Sequence, residues 1–587
     1  MSEIKIGDYI IKRLVQLGTR SIQGVPGDFN MAFLDLIEDS EDVVWVGNAN
    51  ELNAAYSADG YSRIKGTVAA LVTTFGVGEL SAINGVAGAF SERVPVVHIV
   101  GVPSTSAQGA HSLLHHTLGD GRFGAFANMS KEISQASTLL QSPDGAAQEV
   151  DRVLTIAARD ARPVYIALPT DLVHKKISSK GLATPLSVEV PANDEKAEKY
   201  VLNVATKHIE DAKRAVILVD ACAIRHHCIQ ETKDLIEKSG LPVFSTPMGK
   251  TAIDEDHAQY GGIYVGSITS NEVRQIVERS DVLITVGALK SDFNTGNFTY
   301  RTPKESTVEL HTDHTTIGYS HYPGIGMKGL LPKLAERLSR SREKRLKVTK
   351  QILPKFDNIL PQDEGEDKET ITQAYFWPRM GKFFRPKDQI IVETGTSSFG
   401  MLEAKLPRSS MFVAQILWGS IGWSVGATLG VALAAREEKL GKTCLFVGDG
   451  SLQLTAQEIG TMIRQGLKPF LFVLSNDGYE IERQIHGPER VYNNIAPWNH
   501  SLLLDLMSAP TSEDVTRVSA SHKCDPKPSK KKYYAVRTKN ELDQLLDDPT
   551  FNAGKEIQLI EVFMKRGDAP TALKRQAQAT SCANKYE

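Results

Sequence analysis

The chain has 587 residues, 67 basic against 70 acidic, for a formal charge of −3 at pH 7. That length accommodates about three to four domains with ample cores, and the even charge balance without a basic stripe argues against nucleic acid or an anionic membrane as partner. The sequence opens without an apolar leader, no stretch approaches the roughly 18 uninterrupted apolar residues of a membrane span, and five cysteines form neither a disulfide framework nor a Cys-x-x-Cys spacing; a soluble, cytoplasmic protein is the expectation.

Short Val/Ile/Leu runs alternate with helical patterns throughout, which predicts an α/β fold. Two polar connectors, about 175–199 and 340–369, divide it into expected domains at 1–180, 195–340 and 370–565, with 566–587 as a C-terminal tail. In the first block the run Leu71–Phe75 leads through Gly76 and Gly78 into a helical stretch, Glu79 to Glu92, and then the run Pro95–Val100. The middle block offers Ala215–Asp220, a helix ending near Gly240, and Pro242–Phe244, with no phosphate fingerprint. The run Gln389–Val392 in the third block precedes the loop Thr394–Ser397. Further on come Cys444–Val447, the turn Gly448-Asp449-Gly450-Ser451, a helix over Gln453–Gln465 with Leu454, Ile459, Met462 and Ile463 at apolar spacing, and the run Phe470–Ser475. The first block echoes this order without the Asp and Asn.

Asp449 and Asn476 stand 27 positions apart at the carboxyl ends of two such runs, where parallel sheets bind ligands. Gly448 and Gly450 let backbone approach phosphate, the helix N-terminus offers free N–H groups, and Asp449 supplies the anionic oxygen Mg2+ requires. A Gly-Asp-Gly triplet alone is ordinary turn chemistry. Its spacing to Asn476, with apolar runs at both ends, points to a diphosphate and metal site.

This pattern resembles the thiamine-diphosphate binding motif, in which Asp449, Asn476 and the Gly478 carbonyl would hold the metal. Together with Gly24–Asp28, Asn50–Tyr61, His115-His116-Thr117, Leu417–Gly422 and Gly478–Glu482, it makes nearly the whole chain similar to the pyruvate decarboxylases, thiamine-diphosphate-dependent 2-oxo-acid decarboxylases. The resemblance implies three doubly wound parallel-sheet domains in a homotetramer built as a dimer of dimers. Each active site would take the N-terminal domain of one subunit for the pyrimidine and the C-terminal domain of its neighbour for the diphosphate and Mg2+. Glu51, protonated, would bond the pyrimidine and help the cofactor deprotonate its own C2. Ile421 would wedge under the bent cofactor. Gly419, Ser420, Gly450, Ser451, Tyr479 and Ile481 would contact it too, with Thr394 and Thr396 at the aminopyrimidine. Asp28, His115, His116 and Glu482 would form the polar set that positions substrate and moves protons. Phe293 and Trp418 match bulky positions that narrow the pocket, favouring pyruvate over aromatic or branched 2-oxo acids. A non-catalytic, filament-forming homologue is the alternative from another class.

Plainer readings stand beside these. Glu51 also reads as a first-turn carboxylate behind an Asn50 N-cap, Ile421 as core, and the histidines as two loop side chains. If their segment is extended, His115 and His116 face opposite sides and only one, His116 by preference, meets the substrate. Ser475 stands where the family usually has Asn. Glu480 stands where Thr is common, which adds a charge near the diphosphate and would weaken cofactor affinity. Cys222 matches a cysteine linked to substrate activation, but Arg93 occupies the place of the relay histidine; Cys222 reads equally as buried structure. A polar stretch over about 507–531 interrupts the resemblance, which resumes at Tyr533.

Overall fold

The structure is a computed structural model that describes residues 3–361, 369–508 and 529–584. Its first and third sheets are built alike. The first orders six parallel strands as Val44–Trp45, Ser21–Gly24, Ala69–Thr74, Val96–Val102, Val164–Pro169, Ala136–Leu139. The third orders six as Met411–Val413, Gln389–Val392, Thr443–Gly448, Phe470–Ser475, Ile557–Phe563, Lys531–Val536, again all parallel. Counted along the chain within each sheet, both orders read 2-1-3-4-6-5. Every residue of Ala69–Thr74, Val96–Val102 and Val164–Pro169 is buried, as strands covered by helices on both faces must be.

The middle sheet has seven strands, Tyr260–Ile263, Val243–Ser245, Ala215–Val219, Val282–Val286, Thr307–Leu310, His314–Ile317 and Ser320–Pro323 in spatial order. The last two pair antiparallel, so this sheet is mixed where an all-parallel one was expected. The cause is local: the chain turns back twice, between Leu310 and His314, where the His311 N–H reaches the His314 carbonyl at 3.0 Å, and again at Gly318 (φ 57°) between Ile317 and Ser320. Both connectors are more ordered than their composition suggests. Lys176–Ser178 pairs with Glu3–Lys5 and clasps the N-terminus to the first domain, and the second connector contains the helix Arg342–Ile352. The predicted Gln453–Gln465 helix is two helices, Asp449–Thr455 and Glu458–Arg464, and Leu454 is exposed rather than core. Residues 509–528 of the polar stretch lie outside the described residues; beyond them the edge strand of the third sheet already starts at Lys531. Among the described residues no helix is long and apolar enough to cross a membrane.

Two helices hold the first and third sheets together. Glu51–Lys65 and Trp423–Glu437 each follow the second strand of their sheet and are buried on almost every face, so neither shows an amphipathic stripe. Small residues bring their backbones into contact: a Cβ on Gly60 would lie 2.2 Å from the Ala427 carbonyl oxygen, and one on Gly430 only 1.8 Å from that of Ser57. Buried Arg63 locks the same junction through Asp59 and Glu92, and lies 4.9 Å above the Trp423 ring. Gly430→Ala gains about 1 kcal/mol of helix propensity but forces the two backbones apart, at about 1–3 kcal/mol or more. A lower unfolding midpoint is expected, while Gly109→Ala, with nothing within 4 Å of the added carbon, should leave it unchanged. Equal midpoints for the two variants would overturn this account of the packing.

Candidate active site

In the third sheet the site elements gather at the carboxyl ends of the first, third and fourth strands, where the strand order reverses. Asp449 directly follows Thr443–Gly448, and Asn476 follows Phe470–Ser475. The buried Asp449 carboxylate gathers four backbone donors: Gly450 and Gly478 N–H reach Oδ1 at 2.8 and 3.3 Å, and Asn476 and Asp477 N–H reach Oδ2 at 3.1 and 2.8 Å. Asp477 (φ 66°) and Gly478 (φ 119°) take the left-handed backbone that folds the loop over it. A Cβ on Gly478 would come within 2.2 Å of the Asn493 carbonyl oxygen, so only glycine fits. Burial raises the Asp449 carboxyl above its ordinary pKa although these N–H groups pull it down. Asp449, the Asn476 amide and the Gly478 carbonyl, drawn into one loop by these N–H contacts, are hard-oxygen donors of the kind that fits Mg2+.

Glu480 does not add a loose charge beside this loop, contrary to the expectation from sequence. Its side chain is buried 3.5 Å from Arg483, and it accepts from the Gly567 N–H at 3.1 Å and from Gln484 at 2.6 Å. Arg483 in turn donates to the carbonyls of Asn476 (3.2 Å) and Asp477 and, at 3.4 Å, of Asn493. The pair therefore neutralises itself and props the loop at 476–478 from behind. Glu480→Ala leaves the buried guanidinium without its carboxylate, and a loss of about 3–5 kcal/mol is expected in chemical denaturation; unaltered stability would show that the pair does not support the loop.

The loops at 394–396 and 419–422 surround a second buried carboxyl that the sequence reading missed. Glu393, at the end of Gln389–Val392, accepts from Thr394 N–H at 3.0 Å and from the Ser424 hydroxyl at 2.6 Å, and burial pushes it up to about 7. It thereby ties the Thr394 loop to the turn at Ile421 and Gly422; an acid at the end of an apolar run was its only signal. Thr396 opens the short helix Thr396–Met401. Ile421 is half-buried rather than core, set between Gly419 (φ 63°) and Gly422 (φ 92°). Ser420 shares a 2.7 Å hydrogen bond with Tyr56 on the Glu51 helix. Ile481 sits over Gly395, 3.6 Å from the position of a Cβ there, and Gly450 faces the Tyr479 ring with no room for a side chain. Ser451 is buried in the first turn after Asp449. Phe293 packs on Phe399, centroids 5.8 Å apart, and Trp418 donates to Asn84 at 2.9 Å.

The N-terminal half gathers Asp28, His115 and His116. His115 Nε2 lies 2.5 Å from Asp28 Oδ2, and His116 Nε2 lies 4.0 Å from Asp28 Oδ1. Phe29 stacks on His115 at 4.9 Å and meets His116 edge-on at 6.2 Å. The rings do not face opposite sides as an extended segment would require. His116 is left-handed, with φ 65°, so the pair turns and both imidazoles come to one carboxylate. For Glu51 both sequence readings hold together. It opens its helix behind Asn50, which caps Asn53 N–H at 2.8 Å, and its Oε1 lies against Gly78, 3.0 Å from where a Cβ would be. Burial raises its pKa. Glu482 is exposed on the helix Glu480–His486. Cys222 is buried and its thiol is pushed up to about 11 by that burial, which leaves a neutral, poorly nucleophilic sulfur.

The chain has counterparts among known proteins. Residues 4–122 match the N-terminal TPP binding domain of thiamine pyrophosphate enzymes, 202–338 the central domain, and 391–524 the C-terminal TPP binding domain. The chain is similar to pyruvate decarboxylase of Aspergillus fumigatus, 46% identical over 583 residues that cover 99% of this chain and 98% of the relative. It is 44% identical to pyruvate decarboxylase isozyme 1 of Saccharomyces cerevisiae over 585 residues, the full length of both. With pyruvate decarboxylase of Kluyveromyces marxianus it shares 45% over 587 residues, 100% of this chain and 99% of the relative. The chain thus belongs to the pyruvate decarboxylase family of thiamine pyrophosphate enzymes.

Proposed function

We propose that the protein decarboxylates pyruvate without oxidation, releasing acetaldehyde and CO2, with thiamine diphosphate anchored through Mg2+, as a cytoplasmic homotetramer. One observation carries this reading. A carboxylate with two imidazoles and a cradled carboxylate with an amide stand at corresponding ends of two sheets with one strand order, in a chain 44–46% identical to relatives named pyruvate decarboxylase.

In this reading Asp449, Asn476 and the Gly478 carbonyl hold the metal, Gly450 lets the backbone approach the diphosphate, and Ser451 offers its N–H at the helix N-terminus. Thr394, Thr396, Gly419, Ser420, Ile421, Tyr479 and Ile481 seat the rings. Thiamine diphosphate, when bound, supplies the nucleophilic carbon and the ring that accepts the electron pair left by CO2. Glu51 keeps a proton to higher pH than an exposed carboxyl because burial raises its pKa. Asp28 and His115 are hydrogen-bonded, 2.5 Å apart, and His116 beside them delivers a proton to the carbon that CO2 leaves. Glu482 orients the 2-oxo acid from the neighbouring subunit. Val77 and Leu80, on the helix after Gly76, and Leu454, on the helix that opens with Asp449, are exposed apolar side chains of the kind buried between protomers. Phe293 and Trp418 would favour a small substrate.

Metal-stripped protein should release no acetaldehyde until both Mg2+ and thiamine diphosphate are added, followed by coupling to alcohol dehydrogenase and NADH; silence with both present, or a large kcat/KM preference for phenylpyruvate, would displace the reading. Glu51→Gln should lower kcat by about 100-fold or more while cofactor binding and assembly persist. Since the raised pKa concerns the protonated form, parent activity that depends on Glu51 is present below that pKa and is lost as pH rises through it. The Gln variant should lack this limb in its residual rate.

A further inference from the structure

Glu79 is a buried acid that the reading above leaves without a role. It is 0% exposed and sits in the first turn of the helix Val77–Ser91, where each carboxylate oxygen has its own donor. The Gly76 N–H reaches Oε1 at 2.9 Å, and the Tyr165 hydroxyl reaches Oε2 at 2.9 Å from the neighbouring strand. Tyr165 meets the His98 ring edge-on at 5.7 Å, and His98 Nε2 pairs with Thr73 Oγ1 at 2.8 Å. Polar contacts therefore run from the strand interior to the turn at Gly76.

That turn is where the two catalytic elements of the N-terminal half come to rest. Gly76 (φ 69°) lies so close to His116 that a Cβ would stand 2.2 Å from the His116 carbonyl oxygen, and two residues on, Gly78 stands against the Glu51 carboxylate. His116 is itself left-handed at φ 65°, a conformation that costs a non-glycine residue energy and persists only where surroundings over-determine it. We infer that Glu79 is a positioning residue: by gripping the Gly76 N–H and the Tyr165 hydroxyl it fixes the single turn that seats both His116 and Glu51. An ordinary capping glutamate lies at the surface and satisfies one end of its own helix. Glu79 also reaches across to another strand and accepts that burial pushes its carboxyl up to about 7, so its contacts hold more than a helix end.

The inference rests on the proposed decarboxylase reading, and the experiment separates the two. Glu79→Ala and Glu79→Gln are compared with the parent by steady-state kinetics on pyruvate, thermal unfolding, and hydrogen–deuterium exchange of the peptides spanning 74–80 and 111–118. Glu79→Ala should lower kcat/KM by about 10- to 100-fold, the scale of a small misplacement of catalytic groups, and speed exchange in those two peptides above any global change. Glu79→Gln, which keeps an acceptor for Gly76 and a polar partner for Tyr165, should recover most of both. Parent-like kinetics and exchange in Glu79→Ala overturn the inference, as does a lower melting temperature with parent-like kinetics below it. A parent without activity on pyruvate defeats the functional reading instead; local exchange alone then decides, faster in both peptides for Glu79→Ala or not.

Discussion

Backbone contact between the helices Glu51–Lys65 and Trp423–Glu437 is the constraint on which the rest of the structure depends. Glycines at 60, 426 and 430 remove every atom that would keep the two apart, and close-packed interiors offer few alternative registers once backbones touch. The contact fixes where each helix begins, and each N-terminus carries a site group: Glu51 behind Asn50, and Ile421 with Gly422. Arg63 extends the junction to the loop beyond, donating to the Ala414 carbonyl at 2.7 Å, while Glu92 accepts from the Leu417 and Trp418 N–H groups at 2.7 and 3.2 Å. A lone buried ion pair is a weak source of stability. This one is joined to backbone on both sides, so it specifies the course of the loop that leads to Ser420.

Two sheets with one strand order carry different chemistry because of small differences after the third strand. In the third sheet the acid stands in the turn itself, and Asp449 meets the N–H groups of the loop after the next strand. In the first sheet the corresponding turn is Gly76-Val77-Gly78, and the acid comes at Glu79, inside the helix, where it turns back to Tyr165. One arrangement leaves a carboxylate facing a loop, suited to a cation. The other consumes its carboxylate internally and leaves two glycine surfaces, against which His116 and Glu51 lie. Duplicated architecture thus divides into a half that can hold a metal and a half that can hold acids and imidazoles.

Much of this was legible in the sequence because it follows from local pattern. The apolar runs around Asp449 and Asn476 are true strands, and their spacing places both groups at adjacent strand ends. What escaped depends on contacts between segments remote in sequence. His115 and His116 read as an extended pair until Gly76 packs against the His116 carbonyl and the backbone turns left-handed. Glu480 and Arg483 are visibly three residues apart, but that the pair is buried follows from the approach of Gly567. Leu454 fits a helical stripe, yet the helix that carries it starts at Asp449 and breaks before Glu458, which turns the side chain outward. The antiparallel edge of the middle sheet rests on two tight turns, at 311–313 and at Gly318, rather than on any apolar run.

The buried carboxyls around the site show how one residue type can be set to different tasks. Burial raises all of Glu51, Glu79, Glu393 and Asp449, and hydrogen-bond donors oppose it to different degrees. Glu51 has only its own backbone N–H to favour ionisation, and burial raises its pKa. Glu79 and Glu393, each pushed up to about 7, are spent on holding turns, the first through Gly76 and Tyr165, the second through Thr394 and Ser424. Asp449 draws four backbone N–H groups and still lies above its ordinary value, which means that backbone dipoles alone do not balance its charge. A divalent cation there would supply what they lack and fix the loop of Asn476 and Gly478 around itself. The four acids thus differ in the number and kind of donors that meet them, while burial shifts all of them in one direction.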